Sequence, residues 1–233
     1  MFDIKGKYTT ANIFVDEIEE ECLSQIHQMC SHRAFTNPIA IMPDTHSGKG
    51  SVIGFTMKMS DKIIPNVIGV DIGCGMLTFS VRENLLDEVS LEELDSKIRR
   101  EIPSGQYIRN NRVYDMKSFP WKQANIIQSK FIKRYKDEFG IDMPYEEYDM
   151  KWFSKKCKQI GSNELRVIQS IGSLGGGNHF IELGKSKFHK TLYFTIHSGS
   201  RNFGKIVAEY WQRQASKTKV DKKNEIMQTK LLI

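Results

Sequence analysis

No stretch of this sequence approaches the ~20 consecutive apolar residues that a membrane-spanning helix requires, so no such helix is expected. The first residues, Met1 to Lys7, lack a basic segment followed by an apolar one, so they do not read as a secretory signal. Cysteine is scarce. Cys22, Cys30, Cys74 and Cys157 are the four present, and none are spaced as C-x-x-C. A set this sparse is not a disulfide framework. With no export signal, reduced thiols and a cytosolic location are the expectation. There is no internal repeat and no low-complexity tract, which excludes a solenoid or array. Glycine nearly vanishes over residues 106–160, where Gly140 stands alone.

What remains is ordinary for a globular protein: 39% hydrophobic and 27% charged residues in 233. That length suffices for one large domain or two small ones, and a single domain over 1–233 is the expectation. The net charge of +6 favours polyanionic partners. Basic residues cluster at Lys122, Lys130, Lys133, Arg134 and Lys136, again at Lys151, Lys155, Lys156 and Lys158, and in a basic tail over 216–233. Solvated helix faces account for such runs, and RNA contact is the alternative.

The pattern predicts an α+β fold, with mixed sheets and surrounding helices. A helix is expected over 16–30, capped by Asp16, with Ile18, Cys22, Ile26 and Cys30 on one face. Short strands are expected over 39–42, 51–58, 67–70 and 76–82. Ser90-Leu91-Glu92-Glu93 is a capping box opening a helix to about residue 101, with Leu91, Leu94 and Ile98 facing inward. Residues 106–160 read as an α-rich insertion. Strands resume over 166–169 and 191–196, and a helix over 204–215 buries Ile206, Val207, Tyr210 and Trp211. Cys22 and Cys30 read as buried small hydrophobes. Cys157, among Lys155, Lys156 and Lys158, reads as a half-exposed thiol of lowered pKa.

The chemistry concentrates in glycine-rich turns. Val67-Ile68-Gly69-Val70-Asp71-Ile72-Gly73-Cys74-Gly75 delivers a carboxylate and a thiol three residues apart into a turn. Gly175-Gly176-Gly177-Asn178-His179 and His197-Ser198-Gly199-Ser200-Arg201 supply imidazoles in similar settings. Asp71, Cys74, His179 and His197 make a mixed hard and soft donor set, which suits Mn²⁺, Zn²⁺ or Fe²⁺ better than Mg²⁺ or Ca²⁺. Against this stands a plain alternative for each motif: an Asx turn and a buried thiol, a loop before a strand, a satisfied structural histidine. Arg201 offers a planar fork for a phosphate. Asp44-Thr45-His46-Ser47-Gly48-Lys49-Gly50 is a fourth such loop, without the spacing of a Walker A motif.

Together these loops resemble the RtcB family of RNA ligases. Met42 to Gly50, Val70 to Met76, Gly172 to Glu182 and Ile196 to Arg201 match the family's motifs in the family's order. The resemblance implies ligation of an RNA 3′-phosphate or 2′,3′-cyclic phosphate end to a 5′-hydroxyl end, with GTP and two Mn²⁺ ions. It implies that Cys74 bridges both metals, that Asp71 holds one, and that His179 and His197 hold the other. It further implies that Asn178, Phe180 and Glu182 line the guanylate site and that Arg201 meets phosphate.

The family's second half supplies two more essential histidines, one of them the acceptor of the guanylate. No histidine follows His197 here, so no catalytic nucleophile is assigned. A truncated or split ligase is the leading expectation, completed by a missing C-terminal half or an activating protein. A non-catalytic metal- and RNA-binding protein and a metal-dependent cyclic-phosphate phosphoesterase are the alternatives.

Overall fold

The structure, a computed structural model, describes residues 1–48, 50–58, 64–110 and 114–217. Most of the basic tail expected over 216–233 lies outside them. The fold is α+β, as the sequence pattern predicts, and the chain divides into two compact units. One comprises Met1–Ile72 with Ala208–Ile233, the other Gly73–Val207.

The first unit is built on a four-stranded sheet. Its strands are β1 (Phe2–Lys5), β2 (Thr10–Ile13), β3 (Ile39–Ile41) and β4 (Phe55–Met57), in that order across the sheet. β1 and β2 form an antiparallel hairpin, β2 and β3 run parallel, and β3 and β4 are antiparallel. The parallel step needs a crossover, which helix α1 (Glu20–Cys30) provides. Alternation places Ala11, Ile13, Ile39 and Ile41 on the covered face. There they meet Cys22, Ile26, Met29 and Cys30 of α1, with Phe35 and Val52 closing the core. The predicted apolar face of α1 is therefore correct, but its start is not. The helix begins after Glu19 with no side-chain cap, because Asp16 is held by the N-terminal ammonium at 2.9 Å.

One further expectation fails in this unit. Residues 65–68 form a 3₁₀ turn rather than the beginning of a strand. Pro65 opens it and Gly69, at φ +80°, follows it. The first two strands went unpredicted, although Phe2-Asp3-Ile4-Lys5 alternates.

The second unit holds a three-stranded antiparallel sheet of β5 (Gly75–Val81), β6 (Phe180–Lys185) and β7 (Leu192–Ser198), with β7 in the centre. Between β5 and β6 the chain is helical: α2 (Leu85–Glu88), α3 (Leu91–Glu101), α4 (Trp121–Phe139), α5 (Met150–Ile160) and α6 (Glu164–Ser170). The expected α-rich insertion holds α4 and α5. The Ser90 side chain accepts from the Glu93 amide at 3.1 Å, as the capping box requires. Gly140, the lone glycine of that stretch, ends α4 in the left-handed conformation that closes helices.

Corrections fall here too. The strand expected over 166–169 is helix α6, because the Asn163 side chain caps it by accepting from the Arg166 amide at 3.0 Å. Cys157 is buried, only 1% exposed, in a core with Met116, Phe153 and Ile168. Burial pushes its thiol up to about 11, with Glu164 adding to the effect, so its lysine neighbours do not control it. Leu91 is exposed, while Leu94 and Ile98 are half-buried. Helix α7 (Arg201–Lys217), whose residues from Ala208 on belong to the first unit, begins three residues earlier than expected and leaves Trp211 exposed.

Candidate metal centre

Sheet topology explains why distant residues meet. β7 runs antiparallel to both neighbours, so its C-terminal end lies beside the N-terminal ends of β5 and β6. His197 sits at that end of β7, paired across the strands with Met76 and Phe180. Cys74 immediately precedes β5 and His179 immediately precedes β6. One ligand atom from each of Cys74, His179 and His197 falls within 4.8 Å of the others. Cys74 Sγ lies 2.9 Å from His197 Nε2, although 123 residues separate them. The two imidazoles meet edge to face at 5.3 Å between ring centres.

The protonation of His197 follows from its other nitrogen. Nδ1 lies 2.9 Å from the Asn178 carbonyl oxygen, which can only accept, so Nδ1 carries the proton. In the neutral ring Nε2 is then the bare nitrogen, and it is the one facing Cys74. A metal-binding histidine is held in this way, its remote N–H donated to a carbonyl. A thiolate and two imidazole nitrogens at this spacing fit a divalent transition metal by number and by softness.

The glycine-rich loop before β6 is fastened on several sides. The Leu174 amide donates to the Pro103 carbonyl at 2.8 Å, and the Gly105 amide to the Gly175 carbonyl at 2.7 Å. Ser198 Oγ donates to the Leu174 carbonyl at 2.7 Å. Arg109 Nη2 donates to the carbonyls of Gly172 and Glu101 at 3.1 and 3.0 Å. Gly175 itself has φ +105°, and a Cβ there would overlap both the Arg201 guanidinium and the His179 ring. Only glycine permits that approach. Arg201 donates from Nη2 to the Gly105 carbonyl at 2.8 Å. Among the described residues it is also the one non-glycine with positive φ, 57°. Such strain persists where surrounding structure enforces it, and it clusters at functional sites.

A family model described as tRNA-splicing ligase RtcB matches residues 25–233. The chain belongs to the RtcB family. Its similarity to individual RtcB proteins is moderate and partial. The RNA-splicing ligase RtcB of Escherichia coli K12 is 31% identical over 184 residues, covering 77% of this chain and 40% of that protein. The tRNA-splicing ligase RtcB of Thermococcus kodakarensis is 29% identical over 203 residues, 74% of this chain and 39% of that protein. That of Methanococcus maripaludis is 26% identical over 227 residues, 85% and 46% respectively. The chain thus spans about 40% of the length of the curated RtcB relatives it matches. No solved structure matches it.

Of the residues singled out from sequence, Cys74, His179 and His197 converge. Asn178 and Phe180 adjoin them through His197, the first by its carbonyl and the second by a ring contact at 5.4 Å. Glu182 is exposed on β6, two residues beyond Phe180 and on the same strand face. Asp71 belongs to the first unit, three residues before Cys74 along the chain. Sequence reasoning missed the supports. Ser198 lies inside a motif that pointed to it, whereas nothing in the sequence marks Arg109 or Gly105.

Proposed function

We propose that this chain is the metal-binding portion of an RNA ligase. It would join RNA ends bearing a 3′-phosphate or 2′,3′-cyclic phosphate to 5′-hydroxyl ends, using GTP and two Mn²⁺ ions. The convergence of Cys74, His179 and His197 carries the reading, and membership of the RtcB family supports it. Cys74 would bridge the two cations, His179 and His197 would hold one, and Asp71 the other. Bound there, the pair would supply charge neutralisation for the phosphates.

The chain's own residues have the remaining tasks. The Asn178 carbonyl orients His197, while the Asn178 side chain, Phe180 and Glu182 would line the guanylate site. Glu182 is an acceptor for a purine N–H edge. Arg201, held in place by Gly105, would meet phosphate with its planar fork. The acceptor of the guanylate is assigned to no residue here. A second polypeptide segment carrying it would complete the site, and the reaction would take place in the cytosol.

Mn²⁺ titration by calorimetry or electron paramagnetic resonance tests the site. Cys74→Ala and His197→Ala are expected to abolish tight binding, and full stoichiometry in either would sink the assignment. Incubation with Mn²⁺ and radiolabelled GTP tests the division of labour. No covalent label is expected on this chain alone, and a label would show that it holds its own nucleophile.

A further inference from the structure

Helix α4 and the extended chain after it form a second candidate site, which the metal centre does not use. Lys122, Ile126, Ser129, Lys130 and Lys133 recur at i, i+4, i+7, i+8 and i+11, so they share one face of α4. Residues 140–148 return along the helix and are strapped to it by two side-chain amides. Asn125 Nδ2 donates to the Tyr148 carbonyl at 2.9 Å while its Oδ1 accepts from the Tyr148 amide at 2.8 Å. Gln128 makes the same reciprocal pair with Glu146, at 2.8 and 3.1 Å. Between helix and strap lies an open cavity of about 620 Å³, whose lining includes Trp121, Lys122, Ile126, Lys130 and Tyr145. That volume falls in the range of small-ligand sites.

The walls are fixed and one ring is on offer. Trp121 donates from Nε1 to the Met116 carbonyl at 2.9 Å and packs 4.5 Å from Phe119. Tyr145 is 53% exposed. The charges also sort. Lys136 pairs with Asp142 at 2.7 Å and Lys156 with Glu146 at 2.9 Å, whereas among the described residues Lys122, Lys130 and Lys133 pair with no carboxylate. Glu147 and Asp149 line the cavity too, but Asp149 is engaged in capping α5. Across 106–160 there are twelve Lys and Arg against seven Asp and Glu, a surplus of five that nearly equals the +6 of the whole chain.

We propose that this face binds single-stranded RNA. One base stacks on Tyr145 above Ile126, and Lys122, Lys130 and Lys133 contact successive phosphates. Stacking on an aromatic ring beside a basic groove is how unpaired strands are held without sequence preference. The three lysines span roughly 16 Å of helix axis at 1.5 Å per residue, the reach of a few nucleotides. The choice of RNA as the polyanion rests on the ligase reading above.

Fluorescence anisotropy of a labelled single-stranded RNA with the full chain tests the site, across a salt series and with Mn²⁺ or chelator. Tyr145→Ala is expected to weaken binding about tenfold, and Tyr145→Phe to leave it unchanged. Reversing Lys122, Lys130 and Lys133 to Glu should flatten the salt dependence by about two units of slope. Circular dichroism melts of each variant confirm that it folds. Unchanged RNA affinity in folded Tyr145→Ala and in the triple reversal overturns the proposal, as does preference for duplex RNA or for an acidic peptide. Tyr145-dependent binding that persists in a protein unable to bind Mn²⁺ would leave this site standing while the ligase reading fails.

Discussion

The two sheets of this protein divide stability from chemistry. In the first, β2 and β3 alternate between buried and open positions, and their inward residues meet α1 in a closed apolar core. In the second, six of the seven residues of β5 are exposed, with Leu77 at 61% and Phe79 at 43%. Yet the sheet that includes this open strand carries Cys74, His179 and His197 at one end. A strand can therefore lie open and still hold its end in register with the others, because backbone pairing fixes where the three strand ends lie.

The sharpest way to break this comparison is to damage the first core. Phe35 is fully buried, and Phe35→Ala should cost about 3–5 kcal/mol. Hydrogen exchange should show the loss over β1–β4, with Mn²⁺ affinity little changed. Equal loss of protection in β5–β7 would mean that the units do not separate energetically. The second perturbation falls on the site. Gly175→Ala should lower Mn²⁺ affinity about 10–100-fold, the usual cost of disturbing what orients a metal ligand, because its methyl would displace Arg201 and His179. Wild-type affinity would show that the loop relaxes.

A pH titration sharpens the comparison further. Cys157 titrates near 11 rather than at its ordinary 9.0. The folded state therefore holds the proton more firmly, and its stabilising effect, complete below pH 9, is lost as pH rises through 11. Burial raises Cys22 and Cys30 as well, in the same direction. Denaturant midpoints should fall between pH 9 and 11, and less steeply in Cys157→Ala. The smallest effect belongs to the open strand β5. Leu77→Ser should shift stability by no more than about 0.5 kcal/mol, and a larger loss would reveal packing on that face.

Much of this was legible in the sequence wherever local chemistry decided the outcome. Ser90 and Glu93 announced α3, the composition of 106–160 announced an α-rich insertion, and the glycine turns announced Cys74, His179 and His197. The misses have physical causes. Val167 and Ile168 favour strands by propensity, but Asn163 caps a helix, and the cap prevailed. Cys157 sits among lysines in sequence, but its helix turns it inward while Lys155 and Lys158 face water and Lys156 pairs with Glu146, so burial outweighs their charge. Arg109 reaches Gly172 across 63 residues, a relation that no local pattern encodes.

The central position of β7 has a mechanical corollary. Sliding that strand by a single residue against β5 or β6 would throw His197 to the opposite side of the sheet. A cation clasped by residues 74, 179 and 197 would forbid such slippage, acting as a pin through three strand ends. Filling the centre should then stiffen the pairing along β5, β6 and β7, and amide exchange there should slow from the pinned end outward.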